Sequence, residues 1–201
     1  MPKYSVDWFS YNENHLTKLL APFKGLDNLD VLEVGVFEGR STNFFCSEIF
    51  TGDGIAYTCV DPFTGSPEED RMQALDSTRL HSRFISNISE QSHIMFNVRK
   101  EYSYYELPRL LKEGKRFDFI YIDGSHTSDN VLLDAIYAFK LLKRYGVVVF
   151  DDYTWQDKDR QAPIQSPKFA IDAFETIYKD SLQQILTGSQ VGWQKTKAES
   201  Y

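Results

Sequence analysis

Two cysteines in 201 residues, Cys46 and Cys59, are too few for a disulfide framework, and their spacing matches no metal-ligand pattern. Both read as buried thiols in a reducing compartment. No apolar run reaches the length of a membrane span. The opening MPKYSVDWFS lacks the charged-then-apolar pattern of a secretory signal. A cytoplasmic protein with no membrane partner is expected. Basic residues are also scarce: 22 Lys and Arg stand against 29 Asp and Glu, for a net charge of −7. A duplex nucleic-acid binder needs a concentrated basic face, so no nucleic-acid partner is expected. Small molecules and proteins stay open as partners, a second copy of the chain among them. No repeat, low-complexity tract or interdomain linker interrupts the chain.

What is present is material for a core. Hydrophobic residues make up 42% and aromatics 15%, which argues against disorder. The length fits one domain over residues 1–201, with 1–28 as a helical lead-in. NENHLTKLLAPF has apolar residues at helical spacing and stops near Pro22. LDVLEVG is a short apolar run closed by Gly35, which reads as a buried strand. RSTNFFCSEIF predicts a helix opened by Ser41 or Thr42. GIAYTCVDPF is the second strand, broken by Pro62, and Thr64 to Arg71 is a polar loop. DSTRLHSRFISNI is a helix and HIMFNVRK the third strand. YYELPRLLKEG is a short helix in which Pro108 suits the first turn better than the middle. FDFIYID is the fourth strand. NVLLDAIYAFKLLKRYG is an amphipathic helix expected to end at Lys143, Arg144 and a Gly146 C-cap. GVVVFDDY is the fifth strand and KFAIDAFETIYKD the last helix. LQQILTG and QVGWQKT are two closing strands. Strands alternate with helices and are apolar on both faces. That predicts an α/β, doubly wound sheet with helices on both faces.

In such sheets ligands bind beyond the carboxyl ends of the strands. Strand one ends in EVGVFEG, strand two at Asp61, strand four in IDGSH and strand five in FDDY. Gly35 and Gly39 let the backbone pass close to a ligand where a side chain would collide. Asp61, at the end of the next strand, can accept hydrogen bonds from ribose hydroxyls. The spacing G-x-x-x-G differs from the G-x-G-x-x-G that suits a pyrophosphate, and Glu33 would sit badly beside a diphosphate. A carboxylate here suits a cationic ligand. S-adenosylmethionine offers an ammonium, a sulfonium and a ribose, and no phosphate.

Asp123, Asp151 and Asp152 come from two strand ends. Carboxylates that converge repel one another unless a cation sits among them, and oxygen donors suit a hard ion such as magnesium. His126, three residues after Asp123, is a candidate general base. Hydrated loop acids and a turn histidine bound to backbone are the plainer readings of the same residues. Tyr153 and Trp155 either wall a substrate pocket or pack beneath the last helix. Lys158 to Gln165 reads as a flexible substrate loop. His15, His81 and His93 show no ligand spacing.

VLEVGVFEGRST, VDPF, the FDFIYIDGSH to FDDYTW block and KFAIDAF together resemble the class I S-adenosylmethionine-dependent methyltransferases. They are most similar to the branch that holds metal-dependent macrolide-sugar O-methyltransferases and uncharacterised bacterial relatives. The resemblance implies a Rossmann-like sheet of seven strands with the last one antiparallel. It implies cofactor contacts from Glu33, Gly35, Gly39, Ser41, Asp61, Ser103 and Asp123, with the adenine near Lys100 to Ser103. It implies a divalent cation, magnesium by type, held by Asp123, Asp151 and Asp152. His126 and Asp123 are then the catalytic pair, acting on a small-molecule hydroxyl. The Asp151–Asp152 pair departs from the Glu-Asp frequent in that branch. Rival readings are an NAD-dependent oxidoreductase, a metal-dependent hydrolase built on the acids, and a non-catalytic cofactor-binding module.

Overall fold

The computed structural model describes residues 2–65, 77–156 and 166–197. The chain divides into two compact units, Met1–Lys100 and Glu101–Tyr201. In the first, β1 (Asp30–Val34), β2 (Ile55–Val60) and β3 (Ile94–Arg99) run parallel, with Glu33 opposite Cys59 and Cys59 opposite Val98. Their faces are covered by helices, so the central strands are buried almost throughout. The helices are α1 (Glu13–Leu19), α2 (Arg40–Phe44), which runs on as a π-helical turn over Phe45–Ile49, and α3 (Leu80–Ile88). Phe44, Phe45, Phe50, Tyr57 and Phe84 fill the core of this unit. Cys46 and Cys59 are free and buried, as expected.

The second unit holds α4 (Ser103–Lys112), β4 (Phe117–Ile122), α5 (Ser128–Leu141), β5 (Leu142–Phe150), α6 (Pro167–Tyr178), β6 (Leu182–Leu186) and β7 (Val191–Lys195). β4 and β5 are parallel, while β7 is antiparallel to both β5 and β6. The seven strands form one sheet in the order β3-β2-β1-β4-β5-β7-β6. The predicted α/β fold, with its final strand reversed, is the fold observed.

Three local expectations are corrected. Ser41 and Thr42 do not cap α2: Gly39 is its N-cap, with no side-chain cap, and both hydroxyls turn inward to Glu33 instead. Pro108 sits inside α4. Its missing N–H costs the helix about 3 kcal/mol, and complete burial of Leu107 and Leu110 offsets it. The long helix ends at Leu141, well before Gly146. Residues 143–146 instead bulge between the pairs Phe117–Leu142 and Phe119–Val147. The cation at the helix end comes from a distant strand. Lys195, 4% exposed, donates from Nζ to the carbonyls of Phe139 (2.8 Å) and Leu142 (3.0 Å). It supplies the positive charge that a helix C-terminus favours. The predicted loop Thr64–Arg71, beyond Gly65, and the predicted loop Lys158–Gln165 lie outside the described residues.

Candidate active site

The glycine turn follows from the end of β1. Gly35 donates its N–H to the Val60 carbonyl at 2.9 Å and then leaves the sheet at φ +81°. Gly39 closes the turn at the same φ, with its N–H on the Val36 carbonyl at 2.7 Å. A Cβ on Gly39 would stand 3.0 Å from the Phe84 ring and 3.3 Å from Ile88. That glycine therefore serves the left-handed turn and the packing of α3. Asp61, at the end of β2, holds the turn together. Its Oδ2 accepts the N–H groups of Val36 (2.8 Å) and Phe37 (2.9 Å), and its Oδ1 accepts that of Phe63 (2.6 Å). Burial pushes its carboxyl up and these three donors oppose the shift, although part of the residue still meets solvent.

Glu33 is not at the surface of this turn. It is fully buried, and its carboxyl accepts hydroxyl hydrogens from Ser41, from Thr42 (2.7 Å) and from Tyr57 (2.8 Å). Burial raises it to about 7, against the pull of those three hydroxyls. Glu33 and Ser41 thus bind each other beneath the turn. An N-terminal strap, unforeseen from sequence, braces the same turn from outside. Trp8 packs on Phe37 with ring centroids 5.3 Å apart. Glu38, 1% exposed, binds Arg83 and both the N–H and the hydroxyl of Ser5. The acid before Gly39 was a visible signal for this, but its partners lie too far along the chain to read.

In the second unit, Asp123, His126, Asp151 and Asp152 line one cleft beyond the carboxyl ends of β4 and β5, floored by Ile122 and Phe150. Ser103 is not among them; it starts α4, beside the buried Asp134. Asp151 turns inward. Tyr121 donates its hydroxyl to Oδ2 (2.6 Å), Gln190 Nε2 donates to that same hydroxyl (2.8 Å), and the Asp152 N–H meets Oδ1 (2.8 Å). Burial, then the neighbouring Asp152 charge, lifts Asp151 to about 6, although some of its surface reaches solvent. Asp152 takes the left-handed conformation, φ +57°, and its Oδ2 lies 3.0 Å from His126 Nε2. The imidazole stacks on Trp155, centroids 4.2 Å apart and planes 22° apart. Tyr153 goes the other way and donates its hydroxyl to Asp172 of α6 at 2.8 Å. Tyr153 is thus tied to the last helix, while Trp155 lies on the imidazole of His126. Tyr121, Gln190 and the Trp155 stack were not legible, because nothing in their spacing marks them.

The expected metal ligands do not fit a cation as they stand. Among the described residues no three His, Cys, Asp or Glu side chains are placed to hold a metal ion. Asp151 faces inward, toward Tyr121 and the Asp152 amide. An ionised carboxylate only accepts, so a proton on His126 Nε2 is what would make its 3.0 Å contact with Asp152 a hydrogen bond.

A family model described as a methyltransferase domain matches residues 32–153. An uncharacterized protein of Acanthamoeba polyphaga mimivirus, R132, is 28% identical over 174 residues, 81% of this chain and 73% of that protein. The fold is similar to TomG of Streptomyces achromogenes, an O-methyltransferase of tomaymycin synthesis solved with SAM. The TM-score is 0.65 at 16% identity, covering 98% of this chain and 84% of TomG. It is also similar to the MycE methyltransferase of the mycinamycin pathway, solved with Mg, SAH and mycinamycin VI. There the TM-score is 0.59 at 14% identity, covering 97% of this chain and 50% of MycE.

Proposed function

This chain belongs to the methyltransferase domain family and is an S-adenosylmethionine-dependent methyltransferase, and we propose that it methylates a hydroxyl of a small molecule with His126 as the base. The observation that carries the acceptor side is the His126–Asp152 pair on the cleft. TomG, an O-methyltransferase, supports oxygen as the receiving atom.

S-adenosylmethionine, when bound, supplies a methyl group on an electrophilic sulfonium. The groups that would hold it are the turn from Gly35 to Gly39 and Asp61. An ionised carboxylate has about four acceptor positions, and three N–H groups already sit on Asp61. One ligand hydroxyl fits there without change; a second must displace a backbone N–H. Glu33 and Ser41 act from beneath, holding β1 and α2 in register. At the acceptor, His126 would take the hydroxyl proton as the oxygen bonds the methyl carbon; the carbon–sulfur bond breaks and S-adenosylhomocysteine is the leaving group. Asp152 then faces an imidazolium across Nε2 and stabilises it.

A divalent cation is the second reading. It is favoured by the magnesium in MycE. It requires Asp151 to leave Tyr121, and no step above depends on it. Titration calorimetry with magnesium decides it. Heat that disappears in Asp151→Asn supports the cation; no heat from the unaltered protein removes it.

The first test is calorimetric titration with S-adenosylmethionine, S-adenosylhomocysteine and NAD. Binding of the first two and not NAD is expected; binding of NAD alone would overturn the cofactor side. For His126→Ala, turnover of a hydroxyl acceptor found by screening should fall at least about a hundredfold, with S-adenosylhomocysteine affinity unchanged. Loss of cofactor affinity instead would refute the assigned role.

A further inference from the structure

Trp155 stacks on the His126 imidazole, ring centroids 4.2 Å apart. Trp155 is held from its own side: its N–H bonds the Asp152 carbonyl at 2.9 Å, closing a tight turn over Asp152–Trp155. Asp152 enters that turn at φ +57°, a conformation uncommon for a residue other than glycine. The turn is tied down at two further points. The Tyr153 N–H bonds the Ser189 carbonyl at 2.9 Å, and the Tyr153 hydroxyl reaches Asp172. One short segment therefore delivers both the carboxylate that meets Nε2 and the ring that lies on the imidazole face. An imidazole can turn over about its χ2 axis, a broad, roughly two-fold torsion. Turning it over would carry Nε2 away from Asp152.

We propose that Trp155 is a positioning residue that clamps the His126 imidazole, so that Nε2 stays on Asp152. The inference rests on the reading of His126 as the base, but its physical content is the state of one ring, which can be observed without any substrate. Stacking needs a flat apolar face and no hydrogen bond from the indole. Phenylalanine at this position should therefore keep the clamp, and alanine should lose it.

The test is long-range proton–nitrogen NMR of the histidine rings at alkaline pH, where imidazole is neutral, on the unaltered chain, Trp155→Phe and Trp155→Ala. Only four histidines contribute, and His126→Ala assigns the signal. The unaltered chain and Trp155→Phe should hold His126 in a single Nε2–H form with a proton sheltered from exchange. Trp155→Ala should lose the sheltered proton and give averaged ring-nitrogen signals, with exchange about two- to tenfold faster, the scale of one aromatic contact. S-adenosylhomocysteine titration of each variant checks that the turn at Gly35–Gly39 is intact. A Trp155→Ala spectrum identical to that of the unaltered chain overturns the clamp and leaves the base assignment standing. The expected spectra, joined to full turnover in His126→Ala, would keep the clamp and sink the base assignment.

Discussion

At the scale of single residues, the carboxylates decide most of the chemistry, and their partners separate them. Glu33 looks from sequence like a ligand contact, yet three hydroxyl donors hold it in the core. Glu33→Ala would leave Ser41, Thr42 and Tyr57 with buried, unpaired hydroxyls. We expect a loss of at least about 3 kcal/mol in urea unfolding, at about 1 kcal/mol or more per orphaned group. Asp61 has the opposite character: its donors are backbone N–H groups of the turn itself. Asp61→Ala should weaken S-adenosylhomocysteine binding by at least about tenfold, the scale of one lost charge-assisted hydrogen bond. Unchanged affinity in calorimetry would mean that the turn binds without it.

At the scale of elements, the ends of helices carry the unexpected contacts. The carbonyls at the end of α5 are met by Lys195 of β7, whose ammonium also lies 4.2 Å from the Phe139 ring centroid. Lys195→Met keeps the stem and removes both charged hydrogen bonds. It should cost about 2–3 kcal/mol, measured by chemical denaturation, and a neutral result would show that water can replace the ammonium. At the start of α2, Gly39→Ala meets both a positive φ and the Phe84 ring. A destabilisation of about 1–2 kcal/mol is expected from the backbone alone, read as a lowered thermal midpoint.

At the scale of the whole molecule, buried acids set how stability follows pH. Asp134 of α5 is 1% exposed, and neither of its oxygens has a hydrogen bond of good geometry. Burial raises it to about 7, and the nearby Ser103 hydroxyl relieves only part of the shift. Unfolded, such an acid titrates near about 4. Between those values the folded chain keeps a proton that the unfolded chain releases. The contribution of Asp134 is therefore full below about pH 4 and is lost as pH rises toward 7. Glu33, raised to about 7 for the same reason, acts in the same direction. Asp134→Asn should remove part of this decline: little changed at pH 4, it should gain on the order of 1–3 kcal/mol over the unaltered chain at pH 8. Parallel stability curves for the two proteins from pH 4 to 8 would contradict the assignment.

The sequence by itself determined the order of strands and helices and the glycine turn at β1. It also determined that acids stand at the carboxyl ends of the strands. Each of those is written in local patterns: apolar runs of strand length, helical spacing, and glycines at a chain reversal. It marked Asp123, His126, Asp151 and Asp152 as neighbours in the fold, because residues at the ends of adjacent parallel strands must lie near one another. Only the tertiary structure decided which way each side chain turned. Whether Glu33 faces a ligand or Ser41 and Tyr57 depends on what packs above β1. Asp151 meets the Tyr121 hydroxyl, which Gln190 holds in turn, because β4 and the chain before β7 converge there. The cap of α5 lies 53 residues from Leu142 in the chain. Such partners are chosen by burial, where an unpaired polar group is costly, and no local pattern in the chain records that choice.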